Sequence, residues 1–336
     1  MARFLFAGLL LVAAALSACS DGRGTASDSV AGPDELRGET IGIASTSGPA
    51  VLELRYVLQQ TYGLEAGLGA DADVVVVESS ADSLLTQLRD GEVGAALLSQ
   101  LAAFEALSDG RVRVLVPVSE EMRDLTGVPV VNSVLVSYPD DVEQDSGVLA
   151  ELNRLLEASV AYFNANQDEV IDAVAASQDV DAEFLRWWWQ QYELPLGELS
   201  TETQQSILAF WQAAVTLGDI DAYPELSDVL FVGEGGSATP VPQGVRETVS
   251  LAVLDDPSRR AALYALEQGL VTSNIVDVSI SYQPMSALNE ATSARQYDVV
   301  EAPPLAVPLA MQTGIDLVIV SAGVLDLAGT LLVVYD

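Results

Sequence analysis

The chain has 336 residues, half of them apolar, enough to bury a large core and to divide into more than one lobe. It carries 49 acidic residues against 14 basic ones, a formal net charge of −35, and every basic residue is Arg. Such a surface repels phosphate backbones and anionic headgroups, which argues against nucleic acid as a partner. The absence of His and Lys removes the commonest general base and metal ligand and any Schiff-base chemistry.

Carboxylates, Ser and Tyr remain, so enzymology is demoted rather than excluded. The acidic, Lys-free composition fits a protein made for high salt, and equally a GC-driven replacement of Lys by Arg; both readings stay open.

At the N-terminus Arg3 precedes an apolar run from Phe4 to Leu16 and then Leu16-Ser17-Ala18-Cys19. These are the parts of a secretory signal, and the run is shorter than the roughly 20 residues a membrane span needs. Leu-Ser-Ala-Cys resembles the bacterial lipobox, which implies a lipid on Cys19, the single Cys of the chain. Residues 1–19 are therefore expected to be a lipoprotein signal, and residues 20–35, rich in Ser, Gly, Ala and Asp, a flexible tether.

Next come short apolar runs alternating with helical patterns. Glu39–Ile43 reads as a strand, Ala50–Tyr62 as a helix, Asp73–Val77 as a strand, Ser83–Arg89 as a helix, and Val93–Leu97 as a strand. Val112–Val116 and Ser133–Ser137 are further strands, closing an expected lobe over 36–144. From 145 to 231 the pattern is helical: Leu149–Asn164, Asp168–Ala176, Asp181–Tyr192 and Thr201–Leu217, the last with Ser200 placed as an N-cap. Gly233-Glu234-Gly235-Gly236-Ser237 with Pro240 and Pro242 marks a linker over 232–245.

The remaining stretch, 246–336, repeats the first lobe. Glu247–Leu251, Asp277–Ser281, Tyr297–Glu301, Asp316–Val320 and Gly329–Val334 are strands, with helices at Ser258–Gln268 and Ser286–Arg295. From Asp73 and Asp277 onward the two copies keep one ungapped offset of 204 residues. Alternating strand and helix predicts an α/β fold with two lobes, each a mainly parallel sheet flanked by helices, plus the helical segment. Ligands of such sheets sit beyond the carboxyl ends of the strands.

Asp34-Glu35-Leu36-Arg37-Gly38-Glu39-Thr40-Ile41-Gly42-Ile43 resembles the "D-L-x-G-K-x-I-G-V" stretch of substrate-binding proteins of nitrate/taurine/sulfonate and thiamine-precursor ABC importers. Gly91-Glu92-Val93-Gly94-Ala95 is similar to that family's "G-x-V-D-A", with Gly94 in place of the Asp, and Tyr162-Phe163-Asn164 and Gly218-Asp219-Ile220 look like its closing segment. The resemblance implies a type II periplasmic-binding-protein-like fold. In that family the part resembling 246–336 comes first, so the order here implies a circular permutation, with a truncated tandem as the alternative.

The function so implied is an extracytoplasmic, lipid-anchored, monomeric solute-binding protein, at the periplasmic or outer face of the plasma membrane. It would deliver a small molecule to an ABC permease: an anion such as nitrate or a sulfonate, or a thiamine-precursor-like pyrimidine or amine. It would be no enzyme and would need no cofactor or metal. A lipoprotein sensor is the alternative; an enzyme on this fold is disfavoured because its relatives of the pyrimidine-forming type need Lys and His.

Ser45-Thr46-Ser47 before a helix offer hydroxyls and backbone N–H groups to an anion, or simply cap the helix. Asp255 and Asp256, in the equivalent loop, are helix-start charges or partners for an amine. Tyr282, Met285 and Ser286 follow a strand, where the Tyr could stack on a ring or cap an ammonium, or be half-buried packing. Glu301 ends an apolar strand, as a ligand contact or a solvated acid, and Ser99 and Gln100 follow its register partner. Trp187-Trp188-Trp189 point some 100° apart on a helix, so they cannot share one pocket, and packing is their expected role.

Overall fold

The computed structural model describes residues 30–46, 48–197, 199–231 and 246–336. The expected signal, Cys19, most of the tether, Ser47 and the linker over 232–245 lie outside the described residues.

In chain order the first half runs β1 (Thr40–Ile43), α1 (Pro49–Tyr62), β2 (Ala66–Gly67), β3 (Val74–Glu78), α2 (Ala81–Arg89), β4 (Ala95–Leu98), α3 (Gln100–Asp109), β5 (Val112–Val116), α4 (Val118–Thr126), β6 (Val130–Val131) and β7 (Val134–Ser137). The middle is α5 (Pro139–Ala165), α6 (Gln167–Gln178), α7 (Ala182–Gln191), β8 (Tyr192–Glu193), α8 (Thr201–Leu217) and α9 (Leu226–Val229). The second half is β9 (Glu247–Leu254), α10 (Pro257–Glu267), β10 (Val276–Gln283), α11 (Met285–Ala294), β11 (Val299–Ala302), α12 (Ala306–Gln312), β12 (Val318–Ala322), β13 (Leu325–Asp326) and β14 (Leu331–Tyr335).

These strands form a six-stranded sheet in the order β2-β3-β1-β4-β14-β5 and a five-stranded sheet in the order β10-β9-β11-β7-β12. The 204-residue offset carries β4 onto β11, as the ungapped register requires. Both sheets are parallel except for one strand each, and that strand comes from the other half of the chain. β14 lies antiparallel between β4 and β5, and β7 lies antiparallel between β11 and β12.

The expected lobe boundaries at 144 and 336 therefore group each last strand with the wrong sheet. The exchange is invisible in sequence because a strand buried on both faces reads as the same apolar run in either sheet. The two crossing segments meet in a third, three-stranded sheet, β6-β13-β8, which joins the lobes.

The helical segment is divided too. α10 packs against α5 and α6 over the second sheet, whereas α8 returns to α1, burying Phe210 and Trp211 in the first core. α5 starts earlier than its apolar periodicity suggests, and its residue Asp145 leaves helical geometry (φ −120°, ψ 27°), so the long helix is kinked there. Ser200 caps α8, accepting the Thr203 backbone N–H at 3.1 Å. The Trp triplet packs as expected: Trp188 is fully buried and stacks on Tyr192 (ring centroids 4.8 Å apart), and Trp189 stacks on Phe163 at 4.1 Å. Trp187 sits 5.9 Å from Phe104 and joins α7 to α3 across the lobe joint.

Val30 and the C-terminal residue meet at one place. Arg113 on β5 donates to the Val30 carbonyl at 2.8 Å and pairs with Asp336 at 3.5 Å. Among the described residues, no helix is long and apolar enough to cross a membrane.

Candidate functional site

The carboxyl ends of the parallel strands in both sheets converge on a cavity of about 440 Å³. From the first lobe, Ala44 follows β1, and Leu97, Leu98, Ser99, Gln100 and Leu101 run from β4 into α3. From the second come Asp256 and Pro257 at the start of α10, with Val180 and Phe184 beside them. The walls are mostly apolar, and the polar groups are few and concentrated at two helix starts, the usual make-up of a small-molecule site.

Ser99 precedes α3 and makes no side-chain cap bond. Gln100 has φ 52°, a left-handed conformation that costs a non-Gly residue energy and is tolerated chiefly where the surroundings impose it. It is held there by its backbone N–H, which donates to the Tyr192 hydroxyl at 3.1 Å. Tyr192, on β8, is buried, and burial, followed by the charge of Asp326, keeps its phenol protonated well above the usual range.

Facing Gln100, Asp256 caps α10; its Oδ1 accepts the Ser258 N–H at 2.8 Å and also the Ser258 hydroxyl. Behind it, Arg259 is buried and pairs with Glu301, Nη2 to Oε1 at 2.7 Å. Glu301 also accepts from Ser133 Oγ at 2.7 Å and from the Leu254 N–H at 2.9 Å. Burial alone would raise this carboxyl, but the charge of Arg259 and the three sets of donors bring it below the usual carboxylate range.

Glu301 is thus neither a solvated loop acid nor a surface of the cavity: its partners are all internal. It anchors α10, and with it Asp256, to the end of β11. Sequence reasoning misses Arg259 although it follows Asp256 by three residues, in the first turn of α10. A buried carboxylate at a strand end is the signal that calls for such a cation.

The structure brings Ser99, Gln100 and Asp256 together and leaves the other candidates elsewhere. Thr46 donates through its N–H and Oγ1 to Glu78 Oε2, at 2.9 and 2.8 Å, and lines a separate cavity with Arg55 and Asp219. A carboxylate of the protein already sits where the loop was expected to receive an anion. Ser45 is exposed in the same loop, and α1 begins at Gly48-Pro49 with no side-chain cap.

Asp255 pairs with Arg260 at 2.8 Å, and the Arg260 guanidinium lies 3.8 Å over the Tyr282 ring, occupying the face on which a ligand was expected to stack. Met285 packs against the first core and Ser286 is exposed at the start of α11. Among the described residues, no group of three or more His, Cys, Asp or Glu is placed to hold a metal ion.

A model of the menaquinone biosynthesis family matches residues 6–215, whereas the motifs in the sequence had pointed to nitrate, taurine and sulfonate importers. No curated protein matches the chain in sequence. Among solved structures, similar ones include the tungstate ABC transporter protein of Geobacter sulfurreducens (10% identity, 88% of this chain and 84% of that one, TM-score 0.36). Others are the periplasmic aliphatic sulphonate binding protein SsuA of Escherichia coli (10%, 88% and 64%, 0.33) and a phosphate-binding protein of Streptococcus pneumoniae TIGR4 (12%, 89% and 88%, 0.28). Superpositions this loose carry no information about a ligand.

Proposed function

We propose that this chain, which belongs to the menaquinone biosynthesis family, binds one small molecule in the joint between its two α/β lobes and releases it by opening about the three-stranded hinge. The observation that carries the reading is the 440 Å³ cavity with Ser99 and Gln100 on one side and Asp256 on the other. Its ligand class follows from the same walls. None of the lining residues is basic and one is an Asp, which disfavours nitrate or a sulfonate and favours a compact, largely apolar molecule that presents an amine or other hydrogen-bond donor to Asp256.

In this reading the protein is exported, held to the membrane by a lipid on Cys19, and serves an importer, as its N-terminal sequence suggests. The reciprocal strand exchange supports one two-lobed protein in permuted order, since each half completes the other's sheet.

Melting curves in the presence of pyrimidines, small amines, nitrate and alkanesulfonates test this. A rise in melting temperature with an amine or pyrimidine and none with the anions is expected, because a ligand that binds only the folded state stabilises it by mass action. A rise with the anions alone refutes the ligand class, and no rise with any refutes solute capture of these kinds. A second reading, catalysis on a route to menaquinone, is favoured by the family match. Chemical change in a ligand recovered from the protein after incubation would select it.

A further inference from the structure

A second buried group lies on the lobe side of the hinge, outside the cavity. Glu53, in the second turn of α1, is fully buried, and neither of its carboxylate oxygens has a hydrogen-bond partner. The neighbouring hydroxyl, Ser119 on α4, is spent on the backbone of Thr330: it accepts that N–H at 3.0 Å and donates toward the carbonyl at 3.5 Å. Asp326, on the crossing strand β13, is equally buried and accepts from the Gly329 N–H and the Thr330 hydroxyl, both at 2.6 Å.

Among the described residues, no cation faces Glu53. On α1 itself, Tyr62 donates to Glu121 of the packed helix α4 and Arg55 is paired with Asp219. Arg259 acts on Tyr192 and is engaged by Glu301 and Asp256. Tyr192 faces the pair from β8 as a neutral phenol. An ionised carboxylate without a donor or a cation, fully removed from water, is far costlier than the neutral acid.

We propose that Glu53 is a proton-binding site of the hinge: it is protonated when the lobes are joined as seen here, and its ionisation beside Asp326 drives α1 and the crossing strand apart. Burial first, and then the charge of Asp326, raise the Glu53 carboxyl well above its ordinary range, and Asp326 is itself raised by burial. The sign follows. Between the ordinary carboxylate range and the raised value, the folded protein holds a proton that the unfolded chain has lost, so stability falls as pH rises through that window. One linked proton makes the folding equilibrium constant fall up to tenfold per pH unit there.

The site is independent of the ligand reading and is tested on the ligand-free protein. Urea melts from pH 5 to 9 should show the fall in the wild type and a flatter profile in Glu53→Gln, which keeps the shape and removes the titration. X-ray scattering should show the wild type expanding at the alkaline end of the window while Glu53→Gln stays compact. Infrared spectra on the acid side of the window should contain the carbonyl stretch of a buried protonated carboxyl, lost in the variant. Equal pH profiles for the two proteins overturn the proposal. Should Glu53→Gln fail to fold, Asp326→Asn decides: removing the neighbouring charge should move the window to lower pH, and an unmoved window overturns the proposal.

Discussion

The Arg259–Glu301 pair offers the sharpest test of how this joint is built. Both side chains are almost wholly removed from water, 5% and 2% exposed, and among the described residues Arg259 is the one cation paired with Glu301. Arg259→Met keeps much of the side-chain volume and leaves Glu301 with the Ser133 hydroxyl and the Leu254 N–H alone. Breaking a buried pair from one side costs about 3–5 kcal/mol, because the remaining charge is uncompensated.

The pH dependence should change sign as well as size. In the wild type the lowered Glu301 carboxyl contributes stability that is present above the ordinary carboxylate range and is lost as pH falls through the lowered value. In Arg259→Met burial has no opponent of comparable strength. The carboxyl then rises, and this site's contribution falls with increasing pH from the ordinary carboxylate range up to the raised value, a window in which the wild-type contribution is constant. Urea melts at half-unit steps from pH 3.5 to 7, followed by Trp fluorescence, read both effects, and Glu301→Gln added to Arg259→Met should recover most of the loss. A cost under about 1 kcal/mol, or an unchanged difference in slope between the two proteins, would refute the assignment of Arg259 as the group that makes Glu301 tolerable.

Three further outcomes follow from the same geometry. Gly329→Ala should lower stability by about 1–3 kcal/mol in thermal or urea melts, because a Cβ there overlaps the ring and hydroxyl of the buried Tyr192. Gln100→Gly should raise stability by about 1 kcal/mol by relieving its left-handed backbone, while weakening ligand binding in titration calorimetry because a cavity-lining side chain is lost. Asp256→Asn keeps a good N-cap and should change the melting temperature little, yet it should weaken an amine-bearing ligand about tenfold or more, a loss of ~1.4 kcal/mol; equal affinity would remove Asp256 from the site.

Much of the fold was legible because it is local. Apolar runs bounded by Gly, Pro and Asp gave the strands, three- and four-residue spacing gave the helices, and α8 keeps the bounds and the cap residue expected of it. The constant offset of 204 residues marks a repeat in the sequence itself, and β4 and β11 obey it. Part of the candidate cavity was legible: Ser99, Gln100 and Asp256, which line it, follow from the rule that ligands lie beyond strand carboxyl ends.

By itself, then, the sequence determined two similar sheet-and-helix units, a helical insert and an acidic, His-free and Lys-free chemistry, since each depends only on residues close in the chain or on composition. Tertiary structure alone decided which strand completes which sheet, that Arg259 meets Glu301 across 42 residues and Thr46 meets Glu78 across 32, and that Glu53 is buried without a partner. The physical reason is common to all of these. An apolar strand or a charged side chain carries no mark of its partner, and the choice is made by burial, which withdraws water and leaves each polar group only the neighbours that packing supplies.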